Sequence, residues 1–173
     1  MITSAAAHAI GKRSRTIIDA TAGLGHDALL LALMGYEVTA IERSPIIAAL
    51  LRDGIMRAQE QEKLAPALGD RFMLLAGDAR KLLPTLETCA DVIYLDPMYP
   101  PSAKRSALPK KVMRTLRDIV GDDADTGELL SVALKHAQGR VVVKRPSSAM
   151  PISTPSTSYR GKMVRYDVYI TPA

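Results

Sequence analysis

The sequence predicts an α/β fold, a mostly parallel sheet with helices on both faces and an antiparallel hairpin at its C-terminal end. Three observations predict it. Short apolar, strand-like runs alternate with helix-like runs five times along the 173 residues. A turn with two glycines joins the first strand-like run to the first helix-like one. After Pro146 the rhythm changes to a Pro/Ser/Thr-rich loop and then to strict two-residue alternation. Parallel neighbours need long crossovers, usually helical, so five such units put helices over both faces of the sheet.

The elements follow in order. "RTIIDA" (Arg15–Ala20) reads as a short buried strand. "HDALLLALM" (His26–Met34) reads as a helix, apolar nearly all round and therefore expected to be deeply buried, with Gly35 as its stop. "EVTAIE" (Glu37–Glu42) is a second strand. Ser44 followed by Pro45 is an N-cap with proline at the first helical position, starting a helix to about Gln61. "RFMLLAG" (Arg71–Gly77) is the third strand, "DARKLLPTL" a short helical segment, and "DVIYLD" (Asp91–Asp96) the fourth strand. A helix is predicted after Pro109. An acidic loop follows, and then "DTGE", read as a capping box of Asp125 and Glu128 that opens a helix to about Gln138. "RVVVKR" (Arg140–Arg145) is the fifth strand. In "KMVRYDVYI", Val164, Tyr166, Val168 and Ile170 fall on one face and Arg165, Asp167 and Tyr169 on the other. A strand around Ser156–Gly161 is expected to pair with it.

Composition bounds the function. The chain is 47% hydrophobic and 24% charged, ordinary for one globular domain, and long enough to fold without staples. The one cysteine, Cys89, allows no internal disulfide and fits a reducing cytoplasm. No apolar run reaches the roughly 18 residues of a membrane span, and the N-terminal basic residues follow the apolar stretch, the wrong order for a secretory signal. The net charge of +5 suits a polyanionic partner such as nucleic acid. His8 and His136 have no partners at metal-ligand spacing, and the aspartates of "GDDADTGE" do not fit a calcium loop, so no metal site is expected.

"DATAGLGHDA" (Asp19–Ala28) carries the first chemistry. Gly23 and Gly25 let the backbone bend sharply and approach a ligand at the C-terminal end of the first strand, where open α/β sheets bind their ligands. Tight packing alone is the other use of such a turn. The helix that starts near His26 offers free N–H groups. Glu42, which ends the second strand, can accept hydrogen bonds from both hydroxyls of a ribose. Two cofactor classes compete. Gly23-x-Gly25-x-x-Ala28 matches the loose dinucleotide fingerprint. Asp19 instead matches S-adenosylmethionine-dependent methyltransferases, where an acid faces the cationic amino-acid end of the cofactor and would repel a pyrophosphate. Asp78, ending the third strand, can take an adenine amino group or simply cap a helix.

"YLDPMYPP" follows the fourth strand, and Asp96-Pro97-x-Tyr99 resembles the (D/N)-P-P-(Y/F) motif of amino methyltransferases. An exocyclic amine is a poor nucleophile because its lone pair is delocalised into the ring. A carboxylate and a proline-turn carbonyl can accept its hydrogens and favour a tetrahedral nitrogen. Pro97 stiffens the turn, and Tyr99 can stack on a flipped base. An ordinary Asp-Pro turn ending a strand is the alternative.

"DATAGLGHDALLLALMGYEVTAIERSPIIAALLRDG", then "YLDPMYP", then "VVVKRP" together resemble the RsmJ family of bacterial small-subunit ribosomal RNA guanine-N2 methyltransferases, from about Ala5 onward. Met98 in place of the second proline fits that family. The resemblance implies a Rossmann-like class I methyltransferase fold of strand order 3-2-1-4-5-7-6, with S-adenosylmethionine as donor and a guanine amine of 16S RNA as acceptor. It also implies a cytoplasmic enzyme. Cofactor contacts are implied at His26, Asp27, Glu42, Arg43, Asp78, Ala79 and Asp96, beside Asp19, Gly23 and Gly25. Asp96, Pro97 and Tyr99 are the candidate catalytic group. The resemblance further implies an N-terminal region ahead of the first strand. This sequence departs from that pattern, and residues 1–173 are expected to be one methyltransferase domain without that region.

The segment after the motif is basic: Lys104, Arg105, Lys110, Lys111, Arg114 and Arg117, with no acid among them. On the helix predicted after Pro109, Val112, Met113, Leu116, Ile119 and Val120 form the apolar face. A solvated face and a phosphate-binding one both fit these charges; their place beside the base-binding turn favours phosphate. Lys144 and Arg145, ending the fifth strand, are expected to extend that RNA-binding surface. Rival readings are a methyltransferase for another nucleobase or a protein amide, a nicotinamide-dependent oxidoreductase, and an inactive RNA-binding module.

Overall fold

The structure, a computed structural model, describes residues 4–69, 71–97 and 125–171. Seven strands form one sheet in the order β3-β2-β1-β4-β5-β7-β6. The strands are β1 (Thr16–Asp19), β2 (Glu37–Glu42), β3 (Phe72–Ala76), β4 (Ala90–Leu95), β5 (Ala137–Pro146), β6 (Thr157–Arg160) and β7 (Val164–Ile170). β1 to β5 pair in parallel, and β7 runs antiparallel to both β5 and β6. This is the strand order that the family resemblance implies and the hairpin that the alternation predicts.

The helices are α1 (Ser4–Ile10), α2 (His26–Leu33), α3 (Pro45–Gln59), α4 (Ala65–Leu68), α5 (Ala79–Leu82) and α6 (Thr126–His136), with a 3₁₀ turn at Leu83–Thr85. Ser44 caps α3 by accepting from the Ile47 N–H, and Pro45 opens that helix. Period-two alternation sends each strand's apolar residues into two cores, one on each face. Ile17, Val38, Ala40, Val92, Tyr94, Val142, Tyr166 and Val168 meet α1, α2 and Leu51 of α3 on the first face. Ile18, Ile41, Ile93, Leu95, Val141, Val143 and Tyr169 meet Ala79, Leu83 and the Leu129, Leu130 and Ala133 stripe of α6 on the second.

Several local expectations are corrected. α2 is buried along Ala28, Leu31 and Ala32, but Leu33 and Met34 are exposed, so the helix is one-sided. Its apolar sequence does not separate the two sides. The Asp125/Glu128 capping box does not form. α6 starts there, but Asp125 makes no side-chain cap, and both carboxylates turn to Arg80 because a guanidinium outcompetes a neutral amide. Both faces of the last strand are buried, a burial that alternation alone does not decide. Arg165 and Asp167 are buried as a pair, Nε to Oδ1 2.7 Å, which makes burial of both charges tolerable. The loop after Pro146 covers them: Arg165 donates to the Ala149 carbonyl and Tyr169 to that of Ser153. α1, which sequence periodicity did not single out, buries Ala6, Ala9 and Ile10.

Candidate functional site

Because alternation is strict, continuing each first-face row past its apolar residues ends in polar ones. After Ile17 comes Asp19, after Ala40 Glu42, after Tyr94 Asp96, after Val142 Lys144. All four stand at the C-terminal ends of adjacent parallel strands. Leu95 is level with Val143, so Asp96 is level with Lys144. Four chemically active side chains thus converge on one rim of one face.

The glycine turn is pinned from several sides. The Ala20 N–H donates to the Tyr94 carbonyl, the Ala22 N–H to that of Ile41, and the Gly25 N–H to that of Ala22. Both glycines have positive φ, 54° at Gly23 and 77° at Gly25, where Gly25 caps α2. Their surroundings differ. A Cβ at Gly25 would lie 2.4 Å from Leu51 Cδ1, so any larger residue there would displace that side chain of α3 as well as strain the left-handed backbone. A Cβ at Gly23 would meet nothing within 4 Å, so the turn is open on that side. Of the two uses anticipated for the glycines, Gly25 serves packing and Gly23 leaves room.

Glu42 is buried and fixed. Its Oε2 accepts from the Gly23 N–H at 2.8 Å and its Oε1 from the Ser44 N–H at 2.7 Å. A carboxylate has about four acceptor sites, so two remain for ligand hydroxyls. Asp78 caps α5 through the Arg80 N–H at 2.9 Å. It is also clasped by the Arg80 guanidinium, with Nη2 2.6 Å from Oδ2, which holds its carboxyl below the usual carboxylate range. Arg80 reaches Asp125 and Glu128 as well, and Asp125 meets Arg43 at 3.4 Å. Arg80, which the sequence reading missed, ties the end of β3 to the start of α6. Ala79 is buried beside Asp78, and His26 is exposed at the mouth of the turn.

The acidic centre is denser than the sequence suggested. Asp19 is buried, accepts from the Thr21 N–H at 3.1 Å, and has its pKa pushed up to about 8 by burial, with Asp27 and Asp96 adding to the rise. The Asp96 N–H donates to Thr21 Oγ1 at 2.6 Å, locking the start of the Asp-Pro turn onto the glycine turn. Pro97 is buried. Asp27, in the first turn of α2, accepts from the Tyr94 hydroxyl at 2.6 Å. Lys144 Nζ lies 2.6 Å from Asp27 Oδ2 and 2.8 Å from Asp96 Oδ2.

This corrects one sequence expectation. Lys144 faces into the acid cluster with its ammonium between two carboxylates, and Arg145 is buried on the opposite face. Neither stands as a free surface cation: alternation along β5 turns Lys144 to the acidic rim, where two carboxylates hold it, and Arg145 into the covered face. Met98, Tyr99, Lys104, Arg105, Lys110, Lys111, Arg114 and Arg117 lie outside the described residues, as does the helix predicted after Pro109. Cys89 is exposed. Among the described residues no group of three His, Cys, Asp or Glu side chains could hold a metal, and no helix is long and apolar enough to cross a membrane.

The donor set chooses between the two cofactor classes. Two carboxylates, Asp27 and Asp96, share the single Lys144 ammonium, an excess of negative charge that disfavours a diphosphate, and the buried Asp19 beside them would ionise most readily against a ligand that brings positive charge. Gly23 leaves space beside them, and Glu42 keeps acceptor sites beyond its two amide contacts. The residues present fit a cationic, ribose-bearing cofactor.

Comparison with known proteins agrees. The family described as "Putative SAM-dependent methyltransferase" matches residues 2–171. Ribosomal RNA small subunit methyltransferase J of Rhodopseudomonas palustris (strain TIE-1) is 56% identical over 164 residues, which is 92% of this chain and 78% of that protein. The protein of the same name from Thioalkalivibrio sulfidiphilus is 52% identical over 160 residues, 90% of this chain and 62% of its own length. The crystal structure of the SAM-dependent methyltransferase NGO1261 from Neisseria gonorrhoeae superimposes with a TM-score of 0.77 at 36% identity, covering 94% of this chain and 64% of that one. The chain therefore spans between about three fifths and four fifths of the length of these relatives.

Proposed function

The chain belongs to the SAM-dependent methyltransferase family, and from that premise we propose that it methylates the exocyclic N2 of a guanine in small-subunit ribosomal RNA. The single observation that carries the reading is the rim of Asp19, Glu42, Asp96 and Lys144, which joins a cation-binding acid cluster to an Asp-Pro turn suited to an amine.

S-adenosylmethionine supplies, when bound, an electrophilic methyl carbon on a sulfonium. The chain supplies placement and charge complementarity. Asp19 and the Gly23–Gly25 turn hold the amino-acid end, with Asp27 behind them. Glu42 takes the ribose hydroxyls from a position fixed by the Gly23 and Ser44 amides. Asp78 and Ala79 receive the adenine, with His26 and Arg43 at the margins. Asp96 accepts a hydrogen of the target amine, which frees the nitrogen lone pair from the ring, and takes the proton that the amine sheds as it gains carbon. Pro97 stiffens that turn, and Tyr99 stacks on the base. Lys104, Arg105, Lys110, Lys111, Arg114 and Arg117 hold RNA phosphates. The cytoplasm, where ribosomal RNA is found, is the compartment in which such an enzyme acts.

The test is transfer of labelled methyl from S-adenosylmethionine to small-subunit RNA taken from cells lacking the gene, followed by mass mapping of the modified nucleotide. The expected result is one N2-methylguanine. Label on another base, or on protein, overturns the assignment of the acceptor, and no label in any fraction overturns the reading as a whole.

A further inference from the structure

Lys144 is surrounded by acid. Its side chain retains 21% exposure, and its Nζ contacts Oδ2 of both Asp27 and Asp96. The Tyr94 hydroxyl donates to the same Asp27 oxygen, so that atom receives two donors and is held. Among the described residues the other acid facing the group is Asp19. Burial draws the lysine's pKa down, but Asp96 and Asp27 outweigh it, and the ammonium stays charged with a raised pKa. A permanently charged amine is neither a base nor a nucleophile. What it can do is hold carboxylates in place.

We propose that Lys144 is a positioning residue for methyl transfer: its ammonium pins Oδ2 of Asp96 and fixes the carboxylate plane toward the acceptor amine. This rests on the reading that Asp96 receives a hydrogen of that amine. Three facts support it. Register puts Lys144 level with Asp96 on the adjacent strand, so no loop motion is needed for the contact. Asp27 and Asp96 converge on one point, where without a cation between them they would repel each other, and one would turn away or take up a proton. A protonated Asp96 is a donor where the reaction needs an acceptor. The bridge also connects α2, which begins at the glycine turn, to the Asp-Pro turn, and so sets the spacing between cofactor and acceptor. Lysine suits this place because two carboxylate oxygens approach from different elements and a compact point charge serves both, whereas a planar guanidinium favours one carboxylate in bidentate contact.

The experiment uses the whole chain in saturating excess over small-subunit RNA, with saturating S-adenosylmethionine, in single-turnover mode across a pH series. Lys144→Met keeps the stem and removes the charge; Lys144→Gln keeps a donor and guards against a packing artefact; thermal melts confirm folding of both. Both variants are expected to lose at least tenfold in rate and to move the acid limb of the pH–rate profile upward by about one unit, the shift expected when an adjacent cation is removed. The affinity for RNA and the salt dependence of RNA binding are expected to stay as in the parent. In an Asp96→Asn background, Lys144→Met is expected to cost little more, because the two residues act as one unit. An unchanged acid limb, a full multiplicative loss in the double variant, or a changed RNA salt slope with normal saturating rate overturns the inference while the functional reading stands. A parent chain that transfers no methyl to RNA overturns the functional reading itself, and this inference with it.

Discussion

Asp19→Asn offers the most direct test of the acid cluster. Asp19 is 2% exposed and its pKa is about 8, against 3.8 for an ordinary aspartate. Burial is the main cause, and the neighbouring Asp27 and Asp96 add to it. The folded state therefore binds a proton that the unfolded state releases between those two values. Stability from this group is complete below pH 3.8 and is lost as pH rises toward 8. The full difference is about 6 kcal/mol, spread at about 1.4 kcal/mol per pH unit. Asparagine keeps an oxygen for the Thr21 N–H and cannot ionise. Urea denaturation of the ligand-free chain from pH 4 to 9 is the assay. The stability of Asp19→Asn relative to the parent is expected to climb with pH through this window and level off above 8. The slope is the observable, so any constant packing difference drops out. Binding of a ligand with an ammonium group should reverse the sign, because the cation favours ionised Asp19. Calorimetry of S-adenosylhomocysteine in two buffers at pH 7 should show proton release by the parent and none by the variant. A relative stability that does not change with pH, or equal proton release, would refute the argument that burial holds this proton.

Three further outcomes follow from the same geometry. Glu42→Ala should weaken S-adenosylhomocysteine binding by about 1.5–3 kcal/mol, the usual cost of losing hydrogen bonds to a charged group, and Glu42→Gln by less; calorimetric affinities equal to the parent's would remove the ribose role. Asp96→Ala should lower the single-turnover rate at saturating cofactor by roughly 10²-fold, on the scale of other transition-state hydrogen-bond deletions, and a near-normal rate would take Asp96 out of the chemistry. Gly25→Ala should destabilise the fold by about 2 kcal/mol, combining left-handed strain with contact against Leu51, and in a Leu51→Ala background, itself destabilised, the same change should cost only the strain part; no cost there would mean that the backbone conformation costs nothing.

The fold was legible because its signals are local and repeated. Strand-length apolar runs, the Ser44–Pro45 start and the alternation of the last strand each have one physical interpretation, whereas the seven-strand order comes from the family resemblance and not from any local signal. What escaped depends on contacts between distant residues. Arg165 and Asp167 look like a solvent face until the loop after Pro146 lies over them. Asp125 and Glu128 have the spacing of a capping box, and no local rule shows that Arg80 will claim both. α1 is a short run of small residues whose helical signal is weak without its packing partners.

Lys144 shows the same limit within the site and what lifts it. In sequence it is one of two adjacent cations ending a strand, and composition alone favours an RNA contact. Alternation already separates the pair, since neighbours on a strand point to opposite faces. Register then decides what each meets. Leu95 opposite Val143 places Lys144 beside Asp96, and the first-face row that carries Val142 into the core carries Lys144 to the rim with Asp19 and Glu42. The rule that buries the strands' apolar residues is therefore the rule that assembles the acids and their cation. A one-residue slip between β4 and β5 would move Lys144 out of line with Asp96 and its neighbours Val141 and Val143 out of the second core together. Site geometry and core packing rest on one register, which is why the charged group can be held at 2.6–2.8 Å without a loop to place it.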